Sequence, residues 1–259
     1  MRLTRYVLAA LMLSTLGVAS LGHAVKPDDT RSTHERGRRI YERACLHCHG
    51  SQGKGDGPAG WFAGRYSSPR PHDFTTSNYK LRSTASGDLP TDQDLFRTVT
   101  KGIPAYMPSF SSLSEEDRWA VITYIKSFHR DFEQARPDPV PIELPPPSVT
   151  DASLTHGRLL YNRFGCQGCH GSDGRGDGPS SLAGELRDAA DLKTQATDLT
   201  RPTSFKNGAS PRDVYRSLMT GMNGTPMPGY ADQLTGQEQA AWDLVHYILS
   251  LSHEGSRGF

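Results

Sequence analysis

Cys45-Leu46-His47-Cys48-His49 and Cys166-Gln167-Gly168-Cys169-His170 are two copies of one pattern, C-x-x-C-H, and together they use all 4 cysteines of the 259-residue chain. Two thiols three positions apart on a helical turn reach both vinyl groups of one porphyrin, and the histidine that follows places an imidazole under its iron. The pattern is the attachment sequence of a c-type haem. Cys45, Cys48, Cys166 and Cys169 are then the thioether anchors of two haems, with His49 and His170 as proximal iron ligands. Other uses of cysteine fit less well. A four-thiolate zinc site commonly separates its C-x-x-C pairs by about 15–20 residues, whereas 117 residues lie between Cys48 and Cys166. A thioredoxin-like C-x-x-C needs no following histidine and needs a βαβ context that is absent here. Disulfides inside two C-x-x-C loops are a poor use of every cysteine.

The surroundings repeat as well. Gly37-Arg-Arg-Ile40-Tyr41 matches Gly157-Arg-Leu-Leu160-Tyr161 at an offset of 120, and Gly55-Asp56-Gly57-Pro58 matches Gly176-Asp177-Gly178-Pro179 at 121. Met107-Pro108 matches Met227-Pro228 at 120, and Trp119 and Tyr124 match Trp242 and Tyr247 at 123. The order never changes, so one unit is duplicated, over residues 33–130 and 153–253. Between the copies, residues 131–152 hold six of the 18 prolines, Pro137, Pro139, Pro141, Pro145, Pro146 and Pro147. Such density predicts an extended, semi-rigid strap. Each lobe of roughly 100 residues has a small core of its own, which a buried porphyrin would enlarge.

Within each lobe the periodicity is helical. Gly37, Ile40, Tyr41 and Ala44 form an i, i+3, i+4, i+7 stripe that ends at the cysteines. Thr91-x-x-Asp94 and Ser210-Pro211-x-Asp213 read as helix starts whose helices stop at Gly102 and Gly221. The last helices are expected to open at Ser114-x-x-Asp117 and Thr235-x-x-Glu238, the latter a capping box. No alternating run demands a sheet, so the expected class is all-α.

The sixth iron ligand comes from elsewhere in each lobe. Met107 is the one methionine of lobe one, 58 residues after His49. In lobe two only Met227 has both the following proline and the matching distance, 57 residues after His170; Met222 is its rival, and Met219 falls inside a helix. Thioether sulfur is a soft, neutral ligand that favours ferrous iron and raises the potential.

Composition sets the boundaries. The 29 basic and 28 acidic residues leave +1, which removes the bulk-charge argument for nucleic acid. Residues 25–130 hold 16 basic and 12 acidic groups, or +4; residues 131–152 hold 1 and 5, or −4; residues 153–259 hold 10 and 11, or −1. A basic first lobe suits an acidic partner. Residues 1–24, with Arg2 and Arg5, an apolar run from Tyr6 to Val18 and the small-x-small Gly22-His23-Ala24, read as a secretory signal. Retained, the segment would be a membrane anchor; removed, it leaves no span and a periplasmic protein.

This ordered set resembles the class I c-type cytochrome domain, present twice as in dihaem bacterial cytochromes. The resemblance implies an all-α, haem-wrapping fold whose first and last helices cross near Gly37 or Gly157. It also implies that the carbonyl of Pro58 or Pro179 accepts a hydrogen bond from the proximal histidine. Tyr79, Lys80 and Arg82, with Phe205 and Lys206, lie where they would bond haem propionates or else line a solvated loop. His72, His129, His156, His246 and His253 read as surface or satisfied residues, and Trp61 as either haem-packing or surface.

With histidine and methionine on both axial positions, neither iron has a vacant site, and one-electron transfer is what remains. The expected role is a carrier between redox proteins, a respiratory donor or dehydrogenase on one side and an oxidase or reductase on the other, free or as a subunit of a larger complex. The alternative is a dihaem peroxidase or other oxidoreductase with one labile axial site. A thiosulfate dehydrogenase with a cysteine axial ligand has no cysteine left to use, and a haem-based gas sensor has no room for an output domain.

Overall fold

The computed structural model describes residues 26–63, 68–142 and 145–254; the secretory signal read at residues 1–24 lies outside them. Lobe one runs α1 Arg31–Ala44, α2 Leu46–His49, α3 Pro58–Ala63, α4 Asp92–Lys101 and α5 Glu115–Lys126. A short α6, Asp131–Gln134, opens the connection to lobe two, which runs α7 Asp151–Arg163, α8 Gln167–His170, α9 Pro179–Leu182, α10 Pro211–Thr220, α11 Ala231–Leu234 and α12 Glu238–Glu254. Among the described residues there is no strand, only isolated bridges, and no helix long and apolar enough to cross a membrane.

Each lobe is built on the crossing of its first and last helices. A Cβ on Gly37 would stand 2.0 Å from the Ala120 carbonyl oxygen of α5, and one on Gly157 would stand 2.1 Å from that of Asp243 on α12. Glycine is required at both points because only a bare Cα lets the two backbones approach so closely. Around the crossings lie Trp119, Ala120, Val121 and Ile122 in lobe one and Trp242, Leu244 and Val245 in lobe two, all at most 2% exposed. Each of the larger apolar side chains so buried contributes about 1.5–3 kcal/mol.

The helix starts follow the sequence with one exception. Thr91 and Asp94 form a full capping box, and the Ser114 and Ser210 hydroxyls accept from the amides of Asp117 and Asp213. Thr235 does not cap α12. It closes α11 instead, donating its hydroxyl to the Ala231 carbonyl, while Glu238 Oε1 accepts from the Gly236 amide 2.9 Å away. The extra turn α11 uses the threonine before the last helix begins.

After α6, which occupies its first turn, the connection forms no helix among its described residues until α7 begins at Asp151. It is strapped to lobe one by a bridge between Pro139 and Thr84 and by the Val140 amide donating to the Ser83 carbonyl, 2.8 Å. Val140 and Ile142 then pack against the core of lobe two.

The lobes also meet directly. Arg82, fully buried, donates from Nη2 to the Thr220 carbonyl of lobe two at 2.7 Å. Arg97 donates to Asn207 Oδ1 at 2.7 Å and to Asp213 Oδ1 at 3.2 Å. Ser86 reaches Asn223, and the Ser68 amide donates to the Lys193 carbonyl, both at 3.0 Å.

Candidate functional site

α1 delivers the first attachment cysteine. Thr30 caps it, its stripe of Gly37, Ile40 and Tyr41 is buried, and Cys45 follows directly on Ala44. The C-x-x-C-H segment then makes one helical turn and is held from beneath. Tyr41 Oη donates to the Gly50 carbonyl at 2.7 Å, and Tyr161 Oη does the same to Gly171 at 2.7 Å. The Gly-Asp-Gly repeat has its reason here. A Cβ on Gly57 would lie 2.5 Å from the Leu46 and His47 carbonyls, and one on Gly178 would lie 2.5 Å from those of Gln167 and Gly168, so the loop presses bare backbone onto the haem-attachment turn.

The proximal histidines are oriented by backbone. His49 Nδ1 donates to the His72 carbonyl at 3.1 Å, and His170 Nδ1 donates to the Thr197 carbonyl at 2.9 Å. A carbonyl can only accept, so the proton sits on Nδ1 and the Nε2 lone pair is left for a metal. Burial holds both imidazoles below the usual histidine range, partly offset by these bonds, which keeps them neutral and able to ligate. The acceptor is therefore not Pro58 or Pro179. Those prolines begin α3 and α9, because the amides of Gly55 and Gly57 turn back onto the His49 and Cys48 carbonyls and Gly176 and Gly178 repeat the turn.

The Met-Pro loops form matched hairpins. The Ile103 amide donates to the Met107 carbonyl at 2.8 Å, and the Met222 amide donates to the Met227 carbonyl at 3.0 Å. Met222 thus stands where lobe one has Ile103, and Met227 where it has Met107. Met219 belongs to the core of lobe two, 3% exposed on α10.

All these groups face one space. A single cavity of about 540 Å³ is lined by Cys45, Cys48, His49 and Met107 and equally by Cys166, Cys169, His170 and Met227, so the pockets of the two lobes are joined. The size and apolar walls suit a cofactor. The four thiols are free, in no disulfide. Burial, with the neighbouring Cys48, pushes the Cys45 thiol up to about 12, and burial also raises Cys166. Such thiols are poor thiolate ligands for a bare ion, and among the described residues no group of three or more His, Cys, Asp or Glu gathers to hold one. On the cavity wall His72 Nε2 and Tyr79 Oη are buried with no hydrogen-bond partner. A haem fits each of these observations: it takes up paired thiols, offers iron to a neutral Nε2 and to a thioether, and brings polar carboxylates to a wall with orphaned polar atoms.

Arg82 and His72 stand apart from their sequence reading, whereas His156 and His246 are satisfied and Trp61 is exposed, within theirs. Arg82 is consumed by the carbonyls of Tyr79, Ala85 and Thr220 and clamps the lobes rather than a propionate. His72 is no surface residue: its ring lies 4.0 Å from that of Tyr79 inside the cavity. His246 is buried against Ser153, and His156 pairs with Asp243 at 2.7 Å. Trp61 is 47% exposed, with Arg70 over its ring. Lys80 and Lys206 line the cavity, one from each lobe, and Lys206 lies over the Tyr106 ring of lobe one at 5.5 Å. Sequence reasoning missed the His72 and Thr197 carbonyls as the acceptors that orient the imidazoles, although Asp73-x-Thr75 and Asp198-x-Thr200 repeat right beside them at an offset of 125.

The comparisons agree with this geometry. Residues 32–125 match the family described as cytochrome C oxidase, cbb3-type, subunit III, and residues 154–252 match the family cytochrome c. No curated protein matches the chain. Among solved structures, a chain of the Kuenenia stuttgartiensis reducing HAO-like protein complex Kustc0457/Kustc0458 is 39% identical, with a TM-score of 0.76 over 84% of this chain and 96% of that one. With two attachment turns, two half-buried imidazoles held by backbone carbonyls and two Met-Pro hairpins around one cavity, the chain belongs to the cytochrome c family, as a tandem of two cytochrome c domains carrying two covalently bound c-type haems.

Proposed function

We propose that this protein is an exported electron carrier in which His49 with Met107, and His170 with Met227, would hold the irons of two haems. The bound haem supplies one-electron redox chemistry at its edge. The protein's residues do the rest. Cys45, Cys48, Cys166 and Cys169 anchor, the His72 and Thr197 carbonyls orient the imidazoles, and the apolar walls exclude water. Met107 and Met227 of the Met-Pro hairpins would supply a thioether to each iron and so leave oxygen, peroxide and substrate no vacant site. The observation that carries this reading is the single cavity onto which both attachment turns and both Met-Pro hairpins open. A shared cavity brings the two centres together across the lobe interface, as a relay between a donor and an acceptor requires. Assembly of the 39% identical neighbour in a two-protein complex supports redox proteins as the partners. The reading of residues 1–24 as a secretory signal supports the periplasm as the compartment.

The test is a spectroelectrochemical titration that follows the near-infrared methionine-to-ferric-iron charge-transfer band. Two methionine-ligated haems are expected. Met107→Ala and Met227→Ala each remove about half of the band, and Met222→Ala leaves it. Rapid carbon monoxide or cyanide binding to the native protein would overturn the reading in favour of an oxidoreductase with a labile axial site.

A further inference from the structure

The two lobes present unequal walls to their haems. Their backbones run in register through this region. Asp73 accepts from the amide and hydroxyl of Thr75 as Asp198 does from Thr200, and the Phe74 and Leu199 amides donate to the Gly53 and Gly174 carbonyls. His72 therefore corresponds to Thr197 and Phe74 to Leu199. Further on, Tyr79-Lys80 corresponds to Phe205-Lys206, and all four of these residues line the shared cavity. Each lobe contributes one lysine and these two are matched, while lobe one also adds Arg70 to the lining. The neutral polar groups are not matched. Lobe one places His72 Nε2 and Tyr79 Oη in the wall, both buried and unpartnered, with Tyr79 only 5% exposed. Lobe two places a threonine, whose hydroxyl accepts from Lys206 Nζ at 3.5 Å, and a phenyl ring.

A phenol buried without a partner is destabilising, and native interiors leave few such groups. The occupant of the cavity is what completes it, and the only hydrogen-bonding groups on a haem edge are its two propionates. We propose that Tyr79, seconded by His72, hydrogen-bonds a propionate of the lobe-one haem, that Phe205 denies the equivalent bond in lobe two, and that lobe one therefore holds the haem of higher potential. The physical reason is electrostatic. Reduction adds one negative charge to a centre beside an ionised carboxylate, and a donor directed at that carboxylate weakens its opposition within a low-dielectric wall. The balance of 16 basic to 12 acidic residues around lobe one, against 10 to 11 around lobe two, acts in the same direction. The direction of flow rests on the carrier reading. An electron delivered to lobe two passes to lobe one, ferrous iron in the former being oxidised as ferric iron in the latter is reduced, with no proton or atom exchanged.

The experiment uses the full dihaem protein, with both reduction waves resolved by spectroelectrochemistry and propionate bending modes recorded by resonance Raman. Met107→His, which displaces only the lobe-one wave, assigns the waves. Tyr79→Phe is expected to lower the upper wave toward the lower one and to shift one set of propionate bands. Phe205→Tyr is expected to raise the lower wave. Should Tyr79→Phe fail to fold with both haems, Phe205→Tyr decides alone. Unmoved waves in a variant that retains both methionine charge-transfer bands overturn the inference and leave the carrier reading standing. Absence of those bands from the native protein overturns the carrier reading, and the propionate bands still report on Tyr79.

Discussion

Replacing Gly37 by alanine tests the geometry on which lobe one is built. The added methyl would lie 2.0 Å from the Ala120 carbonyl oxygen and 3.0 Å from Tyr124 Cβ. Close carbon-to-oxygen contacts settle near 3.3 Å, so α1 must withdraw from α5 by about 1.3 Å. The obstacle is backbone, and its neighbours Trp119, Val121 and Ile122 are at most 2% exposed, so nothing soft can yield. Overpacking of this kind costs about 3 kcal/mol at the upper end of its usual range. Alanine recovers about 1 kcal/mol as the better helix former. The net loss of about 2 kcal/mol lowers the melting temperature of a lobe this size by about 8–16 °C. Because α1 runs straight into Cys45, the same displacement moves the proximal side of the site, and the near-infrared band of one haem should weaken with it. Gly168→Ala is the matched control: it lies in α8, and a Cβ there would meet nothing within 4 Å. The two variants are compared with the native protein by thermal melting and near-infrared absorption. A Gly37→Ala protein that melts with the native one, or a Gly168→Ala protein that falls as far, would refute the crossing as the organising contact.

Two further outcomes follow from the ion pairs. Asp213 accepts from Arg97 of lobe one and from Arg216 at 2.7 Å, so Asp213→Ala strands the buried Arg216 guanidinium, leaves Arg97 with Asn207, and should cost about 3 kcal/mol; scanning calorimetry showing a loss below about 1 kcal/mol would contradict the inter-lobe clamp. In lobe one the hydrogen bond from Arg36 holds the Asp117 carboxyl below its usual range. That pairing stabilises the fold above about pH 4, where an unfolded aspartate is ionised, and fades as the pH falls through the lowered value. Arg36→Gln should therefore be less stable than the native protein at pH 6, by under about 1 kcal/mol for so exposed a pair, and the gap should shrink as the pH falls below about 4; a difference in denaturant unfolding that stays constant there would assign the effect to packing.

The chemistry of this protein is legible in its sequence because it is local or repeated. Cysteines three apart with a histidine next to them lie on one helical turn whatever the remainder of the chain does, and an offset near 120 residues copies that turn together with its Gly-Asp-Gly-Pro loop and Met-Pro hairpin. Helical periodicity and the caps at Thr91, Ser114 and Ser210 follow from the same short-range geometry. What the tertiary structure decided depends on atoms or distances that residue identity does not encode. The acceptor for each proximal histidine is a backbone carbonyl, which every residue owns, so nothing in the identities of His72 or Thr197 announces it. Thr235 had two helices to serve, and the chain reversal at α11 claimed it. Hairpin register puts Met222 in the place of Ile103, while both Met222 and Met227 line the cavity. Above all, the two lobes are joined by Arg82 with Thr220 and Arg97 with Asp213, partners more than 100 positions apart in the chain. Their pairing is set by how two folded surfaces meet, and that is a property of shape and burial which no run of neighbouring residues contains.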